Sequence, residues 1–281
     1  MADPVLYEKD GRIGRIILNR PERMNAIDDD LPAALEDAVK RADTDRGVHV
    51  MILSGAGKAF CAGYDMAEYA ADPDNPFTQD MPWDPLQDYQ FMWANTQHFM
   101  SIWRAMKPVI CKVHGYAVAG GSDIALCADL TYMADDAQIG YMPARVWGCP
   151  TTAMWVYRLG PEKAKRMMLT GDKVSGKEAE EMGLILKSVP AEKLDDEVEA
   201  MAARMASVPI NQLAMQKMVI NQAIEATGLM NTQRLATLFD GITRHSPEGI
   251  NFKHRSEKVG WKQAVKERDK GTYDWTRDEE I

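Results

Sequence analysis

The 281-residue sequence predicts an α/β fold with a C-terminal helical region. Three observations lead there. Short apolar runs rich in Val, Ile and Leu alternate with stretches whose apolar residues recur at helical spacing. Two of the strand-like runs pass into glycine-bearing turns, 60–65 and 114–123, and each turn opens a helix-like stretch. From about Val208 the strand-like runs end, and the chain becomes helical and more polar.

In chain order, strands are expected at 13–18, 48–53, 109–113, 130–133 and 184–189. Between them, 31–42 reads as a helix because Leu31, Ala34, Leu35, Ala38 and Val39 share one face. Residues 66–70, 96–106, 122–127 and 153–158 also read as helical. Residues 71–90 are rich in Pro, Asp and aromatic residues, which predicts a loop. A substrate lid and a plain surface excursion both fit that loop. Ser207-Val208-Pro209 marks a hinge between a core of residues 1–207 and a helical part of residues 208–281. In the latter, helices are expected at 211–226, 230–245 and 257–269, and the acidic tail 273–281 is expected to fray. Repeated strand–strand–helix passages suggest a spiral core, although periodicity alone also allows a doubly wound sheet.

The net charge of −9 argues against general affinity for nucleic acid or anionic membranes. An anionic substrate therefore needs a local basic patch. No secretory pattern opens the sequence and no run of about 18 apolar residues occurs, so no membrane span is expected and the cytoplasm is the expected setting. Cys61, Cys111, Cys127 and Cys149 match no metal-binding spacing and sit in apolar stretches. Buried free thiols, a reducing compartment and no metal are expected.

The two glycine turns carry the chemistry. A strand–glycine turn–helix unit leaves backbone N–H groups at the helix start without intrahelical partners. Two such units facing each other can hold one oxyanion between two donors, as acyl chemistry requires. The plain alternative is that the glycines only permit tight turns.

Asn19-Arg20-Pro21-Glu22-Arg23-Met24-Asn25-Ala26, residues 59–66, Lys107-Pro108-Val109-Ile110 with 114–129, Tyr157-Arg158-Leu159-Gly160-Pro161 with 169–171, and 179–184 together resemble the crotonase (enoyl-CoA hydratase/isomerase) superfamily. The motifs match in order and spacing and cover most of residues 5–190. The resemblance decides for a spiral of ββα units and implies an enzyme acting on an acyl-CoA thioester through an enolate. It implies that the N–H groups of Tyr64 and Gly120 hold the thioester oxygen. It implies CoA contacts from Arg20, Arg23, Phe252, Lys253 and Arg255, with the adenine near Ala62 and Asp65. No further cofactor is implied, because coenzyme A belongs to the substrate. Residues 208–281 become a trimerisation region, giving a homotrimer or a dimer of trimers.

The family's hydratases use two glutamates, and here the resemblance departs. The first position falls on Asp123, which keeps the carboxylate but shortens it by one methylene; a helix-capping role is its alternative. The second falls in 139–148, where Ala144 follows Pro143 and no carboxylate occurs. Tyr141, Ala144, Arg145 and Trp147 are the pocket candidates there, with Arg145 placed to bind a substrate carboxylate or to form a surface ion pair. Asp65 and Glu68 are reserve acid–base candidates, and His114 reads as structural. Water addition is thereby in doubt. A single-carboxylate isomerase or a hydrolase of an unusual cyclic or polar acyl-CoA, and a non-catalytic acyl-CoA-binding protein, are the competing readings. RNA binding is set aside by the acidic charge.

Overall fold

The computed structural model describes residues 3–70 and 79–276. Its elements run β1 (Val5–Asp10), β2 (Ile13–Leu18), α1 (Leu31–Thr44), β3 (Val50–Gly55), α2 (Met66–Tyr69), α3 (Pro85–Arg104), β4 (Val109–Val113), β5 (Tyr116–Val118) and α4 (Gly120–Leu126). They continue with β6 (Leu130–Ala134), β7 (Gln138–Gly140), α5 (Met154–Thr170), β8 (Lys173–Ser175), α6 (Gly176–Met182), β9 (Lys187–Val189) and α7 (Leu194–Ala206). Four helices close the chain: α8 (Ile210–Glu225), α9 (Leu229–His245), α10 (Pro247–Val259) and α11 (Trp261–Lys270).

The strands form two sheets, a six-stranded one ordered β1-β2-β3-β4-β6-β9 and a three-stranded one ordered β5-β7-β8. In the larger sheet β1 is antiparallel to β2, and every later pairing is parallel. Successive passages lay one strand in each sheet: β4 then β5, β6 then β7, β8 then β9. That alternation is a spiral, and it excludes the doubly wound single sheet. β3 and β4 are buried along nearly their whole length, as parallel strands covered on both faces must be. Ile16, Leu18, Leu35, Met51, Leu53 and Ile110 are fully buried where α1 and the larger sheet meet.

Several expectations change. The loop expected over 71–90 ends at Asp84, and its residues 71–78 lie outside the described residues. The Asp84 side chain accepts from the N–H groups of Leu86 and Gln87, and Pro85 takes the first helical position, so α3 begins eleven residues before the expected Thr96. Pro-rich composition hid a helix start. The expected helix 257–269 is two helices broken at Gly260. Short β5, β7 and β8, and helix α7, had no distinct sequence reading. Cys61, Cys111 and Cys127 are buried, whereas Cys149 is only half-buried.

Candidate active site

The site is built where two chain segments are forced together. Residues 61–65 run between two neighbours. On one side Ala62 N–H donates to Met24 O, Ile27 N–H to Gly63 O, and Asp65 N–H to Ile27 O. On the other, Cys61 N–H donates to Tyr116 O and Val118 N–H to Cys61 O. Because parallel pairing alternates along a strand, the Ile27 contacts turn the Tyr64 N–H toward the 116–120 side.

The opposite wall is the turn into α4. Ala119 sits at φ 51°, ψ −127°, a conformation that non-glycine residues rarely adopt and that persists only where the surroundings impose it. Gly120 is the first residue of α4, so its N–H has no carbonyl one turn back. The two turns touch. Gly63 has φ 89°, and a Cβ there would lie 2.7 Å from Ala119 Cβ and 3.5 Å from Gly120 N. A Cβ on Gly120 would meet Ile27 Cδ1 at 2.7 Å and the Tyr64 ring at 3.0 Å. Glycine at both positions is what allows this approach.

A cavity of about 480 Å³ opens beside them, lined by Tyr64, Gly120, Tyr141, Trp147, Met92 and Asp240 among others. Of the residues expected at the site, Arg23, Ala62, Tyr64, Asp65, Gly120, Tyr141 and Trp147 line it. Its wall is largely apolar and aromatic, closed on one side by Trp261, Lys262, Val265 and Arg268 of α11. A larger cavity, of about 580 Å³, lies under α8 and away from both turns. Of its charged groups, Lys217 and Asp129 are bonded to each other at 2.8 Å, and Arg158 donates to Leu126 O at 2.9 Å.

Other expected residues go elsewhere. Arg145 points to Gly171, with a guanidinium nitrogen 3.7 Å from Asp172, so it forms the surface ion pair and not a cavity cation. Ala144 packs against the main core. Glu68 is half exposed, 3.9 Å from Arg20. Burial and neighbouring Asp65 raise its pKa. Arg20 is occupied by Asp28 at 3.0 Å and Asp65 at 3.4 Å, holding the N-terminal turn together. Phe252 is fully buried against Trp147 and Trp275. Lys253 meets Asp80 at 2.6 Å and Arg255 meets Glu267 at 3.0 Å. The cations that do line the cavity are Arg23, Lys173, Lys262 and Arg268. The His114 ring nitrogen lies 3.0 Å from Gly57 O, a structural contact.

Asp123 is set back. It is 3% exposed, one helical turn beyond Gly120, and is not among the residues lining the cavity. Thr152 Oγ1 donates to its Oδ1 at 2.5 Å. Burial, reinforced by the charge of Asp240, pushes its pKa up to about 8, against the lowering effect of Thr152.

Sequence reading missed Asp240. Helix α9 is inside out: Gln233, Thr237, Asp240 and Arg244 are buried, while Leu235, Leu238, Phe239 and Ile242 are exposed. The polar residues at 233, 237, 240 and 244 do recur at helical spacing, and that stripe was the available signal.

A spiral of strand–strand–helix units with two facing glycine turns over an apolar cavity defines a class. The chain belongs to the enoyl-CoA hydratase/isomerase family, whose model matches residues 8–264. It is 42% identical to an enoyl-CoA hydratase of Mycobacterium smegmatis, whose crystal structure superposes with a TM-score of 0.89 over 95% of this chain and 93% of that one. It is 33% identical over 233 residues to the mitochondrial enoyl-CoA hydratase of Pongo abelii, covering 79% of this chain and 74% of that protein. It is 29% identical over 242 residues to 1,2-epoxyphenylacetyl-CoA isomerase of Escherichia coli strain K12, covering 83% and 87%. No helix among the described residues is long and apolar enough to cross a membrane.

Proposed function

We propose that this enzyme binds an acyl-CoA thioester, holds the thioester oxygen between the N–H groups of Tyr64 and Gly120, and moves a double bond of the acyl group by proton transfer through the resulting enolate. The observation that carries this reading is the contact between the 63–64 and 119–120 turns at the wall of an apolar cavity. Each such donor is worth about 3–4 kcal/mol to a developing oxyanion. The aromatic lining of Tyr64, Tyr69, Tyr141 and Trp147 suits a bulky unsaturated acyl group. Arg23, Lys173 and Lys262 at the cavity suit the phosphates of coenzyme A.

Residues 139–148 bring Tyr141, Met142, Pro143 and Trp147 to the cavity and no carboxylate. Water addition to a short straight chain is therefore the weaker activity. A panel of α,β- and β,γ-unsaturated acyl-CoAs, with products identified by mass and enoyl absorbance, tests the reading. The expected product is the positional isomer. Crotonyl-CoA hydration approaching ~10⁷ M⁻¹s⁻¹, toward the diffusional ceiling, would sink it in favour of a hydratase. Binding without any turnover would favour a non-catalytic protein.

The apolar outer face of α8 and α9, with Met215, Met218, Val219 and Ile220 exposed, supports assembly of identical chains into a trimer or a dimer of trimers. The free thiols of Cys61, Cys111 and Cys127 accord with a cytoplasmic, reducing setting.

A further inference from the structure

We propose that Asp240, brought to the cavity by α9, takes the proton from the acyl chain and returns it, while Asp123 stays behind the wall. The proposal rests on the enolate chemistry proposed above. Among the described carboxylates lining the cavity, Asp240 is the one with a buried oxygen that accepts no hydrogen bond, its neighbour there being the Arg244 charge. It is 3% exposed, and its Oδ1 accepts from Cys149 N–H at 2.9 Å. That oxygen lies beside Gly148, where a Cβ would stand 3.6 Å from it and 3.2 Å from the Tyr141 hydroxyl. Its Oδ2 is buried without a hydrogen bond, 3.2 Å from the Arg244 guanidinium. Arg244 also pairs with Asp88 of α3 at 2.6 Å, so its charge is shared between two carboxylates.

The groups facing Asp240 set its protonation. Arg244 lies on its own helix, Asp88 on α3 and Asp123 on α4, with Tyr64 and Tyr141 at the cavity and Cys149 bonded to Asp240 through its N–H. Burial raises Asp240 to about 6, with Arg244 and the Cys149 N–H working against it. Asp123 is raised further, to about 8. Two carboxylates whose environments separate their proton affinities divide the roles. Near neutral pH Asp240 is ionised and able to accept, and Asp123 is protonated, so no second negative charge opposes the enolate.

The step balances without any co-reactant. The Asp240 carboxylate takes a proton from the allylic carbon next to the thioester. The C–H electron pair enters the conjugated system, and the negative charge settles on the thioester oxygen at Tyr64 and Gly120. The Asp240 acid then returns the proton at the far allylic carbon, where the enolate electron pair forms the new C–H bond. The double bond has moved by one position, nothing is oxidised or reduced, and Asp240 is ionised again.

The test compares the full-length parent with Asp240→Asn, Asp240→Glu and Asp123→Asn. Turnover is read with a β,γ-hexenoyl-CoA across pH, and binding with unreactive butyryl-CoA by tryptophan fluorescence. Asp240→Asn is expected to lose ~10²–10⁴-fold in kcat, the typical value of a positioned acid–base group. It should bind butyryl-CoA as the parent does, and lose the rise in rate through about pH 6 that the parent shows. Asp240→Glu should keep that rise with reduced kcat, and Asp123→Asn should stay within roughly tenfold of the parent. Should Asp240→Asn turn over like the parent, or Asp240→Glu behave no better than a non-binding Asp240→Asn, the assignment is overturned. A parent that binds butyryl-CoA but converts no unsaturated thioester overturns the enolate reading and this proposal with it. That result is distinct from one in which only Asp240 proves dispensable.

Discussion

A side chain on Gly63 would bring its Cβ to 2.7 Å from the Cβ of Ala119, closer than two such atoms pack. The two turns are therefore held at a separation that one methyl group would change. Gly63→Ala is expected to lower kcat at least ~10²-fold, because it displaces a donor and the Gly120 N–H opposite. Gly183→Ala is the control: Gly183 also has positive φ, but nothing lies within 4 Å of the added carbon. It should cost about 1–2 kcal/mol of stability from the backbone alone and leave kcat unchanged. Equal losses of activity in the two variants would show that backbone strain, and not the contact with Ala119, sets the effect.

Asp123 links function to stability through pH. In the folded chain it holds its proton up to about pH 8, whereas an ordinary aspartate releases it near 3.8. Between these values the folded state binds more protons than the unfolded one, so this group makes stability fall as pH rises. Below that window it contributes no penalty, and above it the penalty is constant. Asn keeps an acceptor for Thr152 and cannot ionise. The Tm of Asp123→Asn minus that of the parent is thus expected to grow from pH 5 to pH 8. A difference that does not vary with pH would mean the parent carboxylate is already ionised in the fold.

Arg244 lies buried between Asp88 and Asp240, at 2.6 Å and 3.2 Å. Arg244→Met would leave both carboxylates without their cation. Urea unfolding is expected to show a loss of about 3–5 kcal/mol, and adding Asp88→Asn should recover part of it. A loss below about 1 kcal/mol would show that the pair contributes little to the packing of α9 on α3.

Val219 and Ile220 are 69% and 61% exposed on α8 in the single chain. If α8 carries the proposed assembly, Val219→Asp with Ile220→Lys is expected to reduce it to single chains, read by light scattering at several concentrations. An unchanged mass would place the interface elsewhere.

The glycine turns could be read locally. Positive φ at Gly63 and Gly115 and close approach at Gly120 and Gly121 favour glycine, and the strands before and helices after each turn have their own periodicities, so most of 60–66 and 114–123 was legible locally, whereas the conformation of Ala119 is imposed by its surroundings. The spacing of Gly120 and Asp123 followed, because one helical turn is a local distance. The start of α3 was equally local, in Asp84-Pro85, yet was lost behind the proline content around it.

What only tertiary structure decided is which way each segment faces. The helical period of α9 separates an apolar stripe from a polar one. It cannot say whether the apolar stripe covers the chain's own core or turns outward. Here the polar stripe turns inward, and Asp240 reaches a cavity whose Tyr64 and Gly120 walls come from residues more than a hundred positions earlier. In the same way Arg145, Lys253 and Arg255 were correctly seen as basic, but their partners Asp172, Asp80 and Glu267 are set by packing. A local pattern is fixed by steric and hydrogen-bond rules within a few residues, whereas a side chain's destination depends on long-range burial that no short stretch of sequence contains.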